Sequence, residues 1–307
     1  MAARPRPQRV LLIANPVART VSRPVQGVIE KALSADFKLE VDETRGRGHA
    51  TELTRQAARD GHDMVVVFSG DGTINEAVNG LAHSDTALGV LPGGATNVLA
   101  RVVGMPTDPV EATGWLIGAA LEGRFRRLSL GRVDGRYFVL NCGSGVDAEA
   151  MGMVDERQAR SRAQFERAAL SAVLRTVLLR YAGRRPFLSV RADGGQPVEG
   201  VTALVGRTDP YAFYKRFGLR LTPLANLDDG LDVTVVRRVH RRSAPVLARQ
   251  VFSGGLIRRK DVHAVHGAAS VEVEGSEPFP VQVDGDYIGM RRRLSIGLEP
   301  DALWLVA

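Results

Sequence analysis

The stretch MVVVFSGDGTINEAVNGL, Met64 to Leu81, constrains the fold more than any other part of the chain. Met64–Phe68 is a short valine-rich apolar run, the pattern of a buried strand. Ile74, Ala77, Val78 and Leu81 follow at helical spacing. Thr73 and Glu76 have the S/T-x-x-E form of a capping box. Ser69-Gly70-Asp71-Gly72-Thr73 is therefore a strand-to-helix turn, whose amides and helix dipole can face a phosphate group. Gly-Asp-Gly alone serves an ordinary tight turn equally well, so the flanking segments have to decide.

Those segments repeat the pattern. Val10–Ala14 reads as a strand, followed by an Asn15-Pro16 loop and a helical face of Val21, Val25, Val28, Ile29 and Leu33. Phe37–Val41 is a second strand, ending at Thr44 and a Gly-rich turn before a helix near Ala50. Ala87–Leu91 is another, with PGGATN as its loop and a helix over Val98–Val103. Four βα units predict a mostly parallel sheet with helices on its faces. Ligands of such sheets bind at the carboxyl ends of the strands, where all four loops lie. After about residue 126 the texture becomes short alternating runs punctuated by Gly, Pro and Asp, which predicts an antiparallel β-sandwich. A helical insert over about 155–181 interrupts it, with Phe165, Ala169, Val173, Val177 and Tyr181 as its apolar stripe. The expected division is a nucleotide-binding α/β domain over 1–126, with 295–307 packing back on it, and a β domain over 127–294.

At 307 residues, 44% hydrophobic and 24% charged, the chain is of globular composition. Its net charge of +7 suggests an anionic partner. No zinc-finger spacing or aromatic RNA-binding strand accompanies that charge, which argues against nucleic acid. No apolar run approaches bilayer-spanning length, and the N-terminus lacks a signal-peptide apolar region. The single cysteine, Cys142, rules out an internal disulfide framework and fits a reducing cytoplasm. It follows the apolar run Tyr137–Leu140 and reads as a core residue. His263 and His266 read as solvent-facing side chains in a β-like region more readily than as a metal pair.

Four motifs in order resemble the diacylglycerol kinase catalytic-domain family, which includes bacterial lipid kinases and sphingosine kinases. SGDGTINEAVNGL is similar to the family's GGDGT-x-NE-x-x-NGL, with Ser69 where glycine is usual, as in sphingosine kinases. LGVLPGGATNVLAR is similar to its G-x-x-P-x-G-T-x-N-D-x-A-R. ANLDDGLDV resembles a D-D-G-x-L-D segment that binds a structural Mg²⁺, and VQVDGDYIG resembles its DGE motif. The resemblance implies an ATP-dependent kinase acting on a membrane lipid alcohol such as diacylglycerol. It assigns nucleotide contacts to the loop carrying Asn15, Pro16 and Arg19, to Thr44, to Ser69, Gly70, Asp71, Gly72, Thr73, Asn75 and Glu76, and to Gly94, Ala95, Thr96 and Asn97. Asp71 is expected to organise Mg·ATP, since a carboxylate beside phosphate needs a cation between them. Asp284 is the implied general base, with Asp286 in place of the family's glutamate orienting it or the metal. Asp-Gly is also a common hairpin turn. Asp229, with the carbonyls of Asn226 and Leu231, is the implied ligand set of the structural Mg²⁺, although Asp228-Asp229-Gly230 reads equally well as a plain turn.

Several positions depart from the family. NPVAR replaces NP-x-S-G, Ala95 takes the usual threonine position, and Val98 and Ser129 stand where many bacterial members have aspartate. The last two remove carboxylates around the nucleotide and metal, which motivates a catalytically inactive binding protein as an alternative. NAD kinase, which shares the GGDG loop, is another. The clusters Arg237-Arg238 with Arg241-Arg242, Arg258-Arg259-Lys260 and Arg291-Arg292-Arg293 are expected to include one that meets an anionic membrane on its cytoplasmic face.

Overall fold

A computed structural model describes residues 5–18, 21–155, 168, 171–240, 242 and 244–307. The chain divides into two compact units, Met1–Leu130 with Pro300–Ala307, and Gly131–Glu299.

The first unit is a parallel sheet flanked by helices. β1 (Arg9–Ala14), β2 (Lys38–Glu43), β3 (Met64–Ser69) and β4 (Ala87–Pro92) alternate with α1 (Arg23–Asp36), α2 (His49–Arg59) and α3 (Asp71–Leu81). α4 (Val98–Val102) and α5 (Pro109–Leu121) follow β4. The strand order is β4-β3-β1-β2, all parallel. Every residue of β3 and β4 is buried, as strands covered on both faces must be. β2 lies at the edge and exposes Lys38, Asp42 and Glu43, charges that discourage pairing with another chain. The last strand of the chain adds a parallel neighbour to β4, Leu305 opposite Leu88. α5 begins cleanly because Asp108 accepts from the amides of Val110 and Glu111 at 2.9 and 3.0 Å, with Pro109 at the first helical position. On α1 the buried face is Gln26, Ile29 and Leu33, whereas Val28, expected inside, is half exposed.

The second unit is antiparallel. β5 (Phe125–Val133) enters it and pairs with β6 (Arg136–Phe138). β7 (Asn141–Ser144), β8 (Leu188–Ala192), β9 (Val198–Gly200), β10 (Thr202–Gly206), β11 (Ala212–Tyr214) and β12 (Phe217–Leu219) follow. β13 (Leu231–Val236), β14 (Val262–Ala268), β15 (Ser270–Val283) and β16 (Asp286–Val306) complete it. The main order is β14-β13-β10-β7-β15-β16, with β8 on β15 and β9 on β8. The core is rich in branched residues, among them Val205, Val233, Val273, Val281 and Ile296. α6 (Val146–Asp155) follows β7, and α7 (Ala244–Ser253) precedes β14. Helical residues 171–176 run into a π-helical turn at Val177–Tyr181, where Tyr181 is buried as expected. Phe165 and Ala169 of the expected stripe lie outside the described residues, as do Arg19 and Arg241. Cys142 is a core residue of β7, and burial pushes its thiol well above the ordinary range, so it is no nucleophile.

Candidate active-site elements

In the first unit, all four βα turns are tied into one edge of the sheet. Asn15 Nδ2 donates to Thr73 Oγ1 at 3.0 Å, and the Ser69 hydroxyl lies 2.8 Å from the same oxygen. Asn15 Oδ1 accepts from the Val17 amide, which shapes its own turn. Thr44 is buried, its amide bonded to the Ala14 carbonyl at the end of β1. Pro16 is exposed beside Asn15. The turns after β3 and β4 touch backbone to backbone. A Cβ on Gly94 would stand 2.4 Å from Gly70 Cα, and one on Gly93 would stand 2.7 Å from Ser69 Cα. Only glycine permits this approach.

Asp71 locks the contact. Its Oδ2 accepts from the Thr96 hydroxyl at 2.7 Å and its Oδ1 from the Val98 amide at 2.8 Å, so it caps α4 from a neighbouring turn. Burial pushes its carboxyl above the ordinary range, against the pull of the Thr96 hydroxyl and of the amides at the start of α4. Asn97, in the left-handed region at φ 49°, closes the PGGATN loop by accepting from the Gly94 amide at 2.8 Å. Ala95 is half-buried in that loop.

The capping box does not form. α3 starts at Asp71 with Gly70 as its N-cap, which places Thr73 inside the first turn, too late to cap. Glu76 instead reaches α2, accepting from the amides of Gly48 and Ala50 at 2.8 and 3.2 Å. Its carboxylate caps the neighbouring helix and fixes the turn after β2. Asn75 is buried in α3. Gly72 differs from the other glycines of the site: it is exposed, and a Cβ there would meet nothing within 4 Å. No protein contact requires a glycine there.

In the second unit, Asp284 and Gly285 are the two loop residues of the β15–β16 hairpin, between paired Val283 and Asp286. Their φ values of 48° and 85° match the turn that Asp-Gly favours. The side chain does more than turn the chain. Asp284 is buried, its Oδ1 accepts from the amides of Leu140 and Asn141 at 2.9 Å, and its Oδ2 accepts from Val139 at 3.1 Å. Asp286 pairs with Arg136 at 2.8 Å.

Beside this turn lies a buried polar cluster that sequence reasoning missed. The Tyr211 hydroxyl donates to Asp147 Oδ2 at 2.7 Å, and Gln282 Nε2 lies 2.8–2.9 Å from Asn141 Oδ1, Tyr211 Oη and Asp147 Oδ2. Gln282 Oε1 accepts from the Gly285 amide at 2.7 Å, linking the cluster to the Asp284 turn. Burial pushes the Asp147 carboxyl up, opposed by Tyr211 and Gln282; burial and Asp147 keep Tyr211 protonated. Gly143 is glycine because a Cβ would lie 1.9 Å from Asp147 Oδ2. The readable signal was an acid two residues beyond the glycines of Gly143-Ser144-Gly145.

Asn226–Leu231 forms a self-closed turn. Asn226 Oδ1 accepts from the amides of Asp228 and Asp229 at 2.9 and 3.0 Å, and Asn226 Nδ2 donates to Asp229 Oδ2. His266 Nε2 is 3.5 Å from that same oxygen, and His266 Nδ1 is 2.6 Å from Asp232 Oδ1. Both ring nitrogens of His266 therefore face carboxylates. Among the described residues no group of three or more His, Cys, Asp or Glu is arranged to hold a metal.

The diacylglycerol kinase catalytic-domain profile matches residues 9–133, and the profile of the YegS C-terminal NAD kinase beta sandwich-like domain matches 141–307. A diacylglycerol kinase of Bacillus subtilis is 28% identical over 290 residues, covering 92% of this chain and 91% of the relative. A Chromohalobacter salexigens protein named "Probable lipid kinase YegS-like" is 28% identical over 293 residues, covering 92% and 88%. A crystal structure of a diacylglycerol kinase from Bacillus anthracis superposes with a TM-score of 0.75 at 24% identity, covering 99% of this chain and 98% of that one, a likeness of fold. With both domain profiles matched in order across nearly the whole chain, the protein belongs to the diacylglycerol kinase catalytic-domain family, with the YegS-type β-sandwich as its second domain.

Proposed function

We propose that the protein is an ATP-dependent lipid kinase that transfers the γ-phosphate of ATP to the hydroxyl of a membrane lipid alcohol, diacylglycerol or a close relative, giving a phosphatidic-acid-type product. The observation that carries this reading is Gly72. It stands in the first turn of α3, after a loop whose other glycines are explained by packing, yet its own missing side chain faces open space. A phosphate lying against the backbone there accounts for it, with the helix N-terminus behind. Mg²⁺ enters as part of the Mg·ATP substrate. Phosphoryl transfer asks mainly for positioning and charge neutralisation, which the tied turns supply. In the reaction the lipid oxygen forms a bond to the γ-phosphorus as the bond to ADP breaks, and Asp284 takes the hydroxyl proton. Retention of Asp71 and Asp284 favours this over an inactive binding protein.

The acceptor implies work at a bilayer. No helix among the described residues is long and apolar enough to cross one. In two of the arginine clusters, charges are paired: Arg291 with Asp134, Arg293 with Glu274, and Arg259 with Asp261. The β11–β12 hairpin tip offers a better surface. Lys215, Arg216 and Phe217 are exposed there, and Phe217 packs edge-on against Phe252 of α7 at 6.4 Å. Exposed aromatics beside cations suit an anionic interface, here the inner face of the cytoplasmic membrane. The test is radiolabelled ATP with a lipid panel on vesicles, and NAD as a separate acceptor. Label in a lipid is expected; label only in NAD, or in nothing, overturns the proposal.

A further inference from the structure

Arg207 follows β10 at the end of the run Thr-Ala-Leu-Val-Gly, and it is the largest fully buried side chain among the described residues. A buried guanidinium is costly unless its donors are met. Here Nη1 donates to the carbonyls of Asp229 and Gly230, the latter at 2.7 Å, and Nη2 donates to the carbonyl of Leu227 at 2.8 Å. Its own amide is fixed to the Leu140 carbonyl at 2.8 Å. A guanidinium keeps its proton at neutral pH, so Arg207 is a cation facing the charges of Asp229, Asp228 and Asp232.

The three carbonyls belong to the turn for which the family resemblance implies a structural Mg²⁺. The residues present do not fit that ion. A divalent cation needs the Asp229 carboxylate as its charged ligand, but Asn226 Nδ2 donates to Asp229 Oδ2 and His266 stands beside the same oxygen. Gly230 is packed against the Gly267 backbone, where a Cβ would come within 2.6 Å, so the turn has little freedom to reorganise. A dication here would also be repelled by the positive charge of Arg207.

We propose that the Asn226–Leu231 turn is organised by the built-in cation of Arg207 in place of a bound magnesium ion, and that the fold of the second unit needs no divalent metal. The guanidinium holds the carbonyls of Leu227, Asp229 and Gly230, a different set from the implied ligand carbonyls of Asn226 and Leu231, and offsets the charge of Asp228, Asp229 and Asp232. Mg²⁺ carried by the nucleotide is a separate matter.

The experiment is thermal unfolding of the nucleotide-free protein, first treated with chelator and then titrated with MgCl₂, with bound metal measured on the same samples. It reads no turnover, so it stands or falls apart from the kinase assignment. The expected result is one melting temperature with chelator or Mg²⁺ and no stoichiometric metal. Arg207→Met should lower the melting temperature by roughly 10 °C, because three carbonyls, that of Leu227 buried, lose their donor, and Arg207→Lys should recover part of that loss. A saturable rise with Mg²⁺ that disappears in Asp229→Ala overturns the proposal, as does an Arg207→Met protein as stable as the parent. A rise that survives Asp229→Ala arises elsewhere and agrees with it. Should Arg207→Met fail to fold, the magnesium titration of the parent decides alone.

Discussion

Gly70-Asp71-Gly72 and Asp284-Gly285-Asp286 are spelled almost alike, and the two units use them in opposite ways. The first turns a strand into a helix; the second turns a strand back on itself, with both central residues at positive φ. In both, the aspartate is spent largely on amides of another segment: Asp71 on the start of α4, Asp284 on residues 139–141. The difference lies in what the glycines do. A Cβ on Gly70 would press on the Gly94 backbone and one on Gly72 would meet nothing, whereas Gly285 supplies a positive φ and an amide for Gln282. A motif read as chemistry is therefore also a joint, and its two roles separate only under substitution.

Asp284→Asn should give the largest effect. If the carboxylate takes the proton, turnover falls about 10²–10⁴-fold, while ATP affinity, assigned by the proposal to the first unit, stays near the parent's. The amide places an N–H against the Val139 amide, a stability cost of about 1–3 kcal/mol. Steady-state kinetics beside ATP titration separate the two, and parental turnover in folded Asp284→Asn would remove Asp284 from the chemistry. Asp71→Ala should differ in kind. Loss of the α4 cap costs about 0.5–2 kcal/mol and appears as a raised KM for Mg·ATP as the PGGATN loop loosens. Unchanged nucleotide dependence would reduce Asp71 to a turn residue.

The glycines sharpen the comparison further. Gly94→Ala drives a methyl to 2.4 Å from Gly70 Cα, with only backbone to yield, so a loss of about 1–3 kcal/mol together with weaker nucleotide binding is expected. Gly72→Ala should leave stability equal or slightly higher, since alanine is the better helix former by up to about 1 kcal/mol. Yet it should weaken ATP binding about tenfold or more, equivalent to about 1.4 kcal/mol. ATP titrations that place Gly72→Ala level with the parent would break the phosphate reading of this turn.

Periodicity made the architecture legible. Unbroken apolar runs marked the buried parallel strands, and alternation marked the antiparallel ones, because side-chain direction alone sets those patterns. Site residues were legible as positions and less so as partners. Glu76 lies three residues after Thr73, as a capping box requires, yet the cap of α3 falls three residues earlier and Glu76 reaches α2, across a packing contact that no local rule encodes. Arg207 was invisible for a related reason. Its partners are carbonyls some twenty residues away, and carbonyls leave no trace in side-chain letters.

The smallest expected effect tests the buried cluster beside Asp284, using pH. The folded-state pKa of Asp147 lies above its ordinary 3.8, with burial as the main cause. The folded protein therefore holds this proton at pH values where the unfolded chain has released it, so stability from this group rises as pH falls through the folded pKa and levels off below the unfolded one. Asp147→Asn lacks that titration. Subtracting its melting temperature from the parent's cancels the other groups, and the difference should move in the parent's favour as pH is lowered from neutral toward 4, each kcal/mol reading as about 2–4 °C. Tyr211→Phe, which removes a donor that favours the charged carboxylate, should move that rise to higher pH. A difference that stays flat across the range would mean that Asp147 titrates as it does in water, and that Tyr211 and Gln282 fully offset its burial.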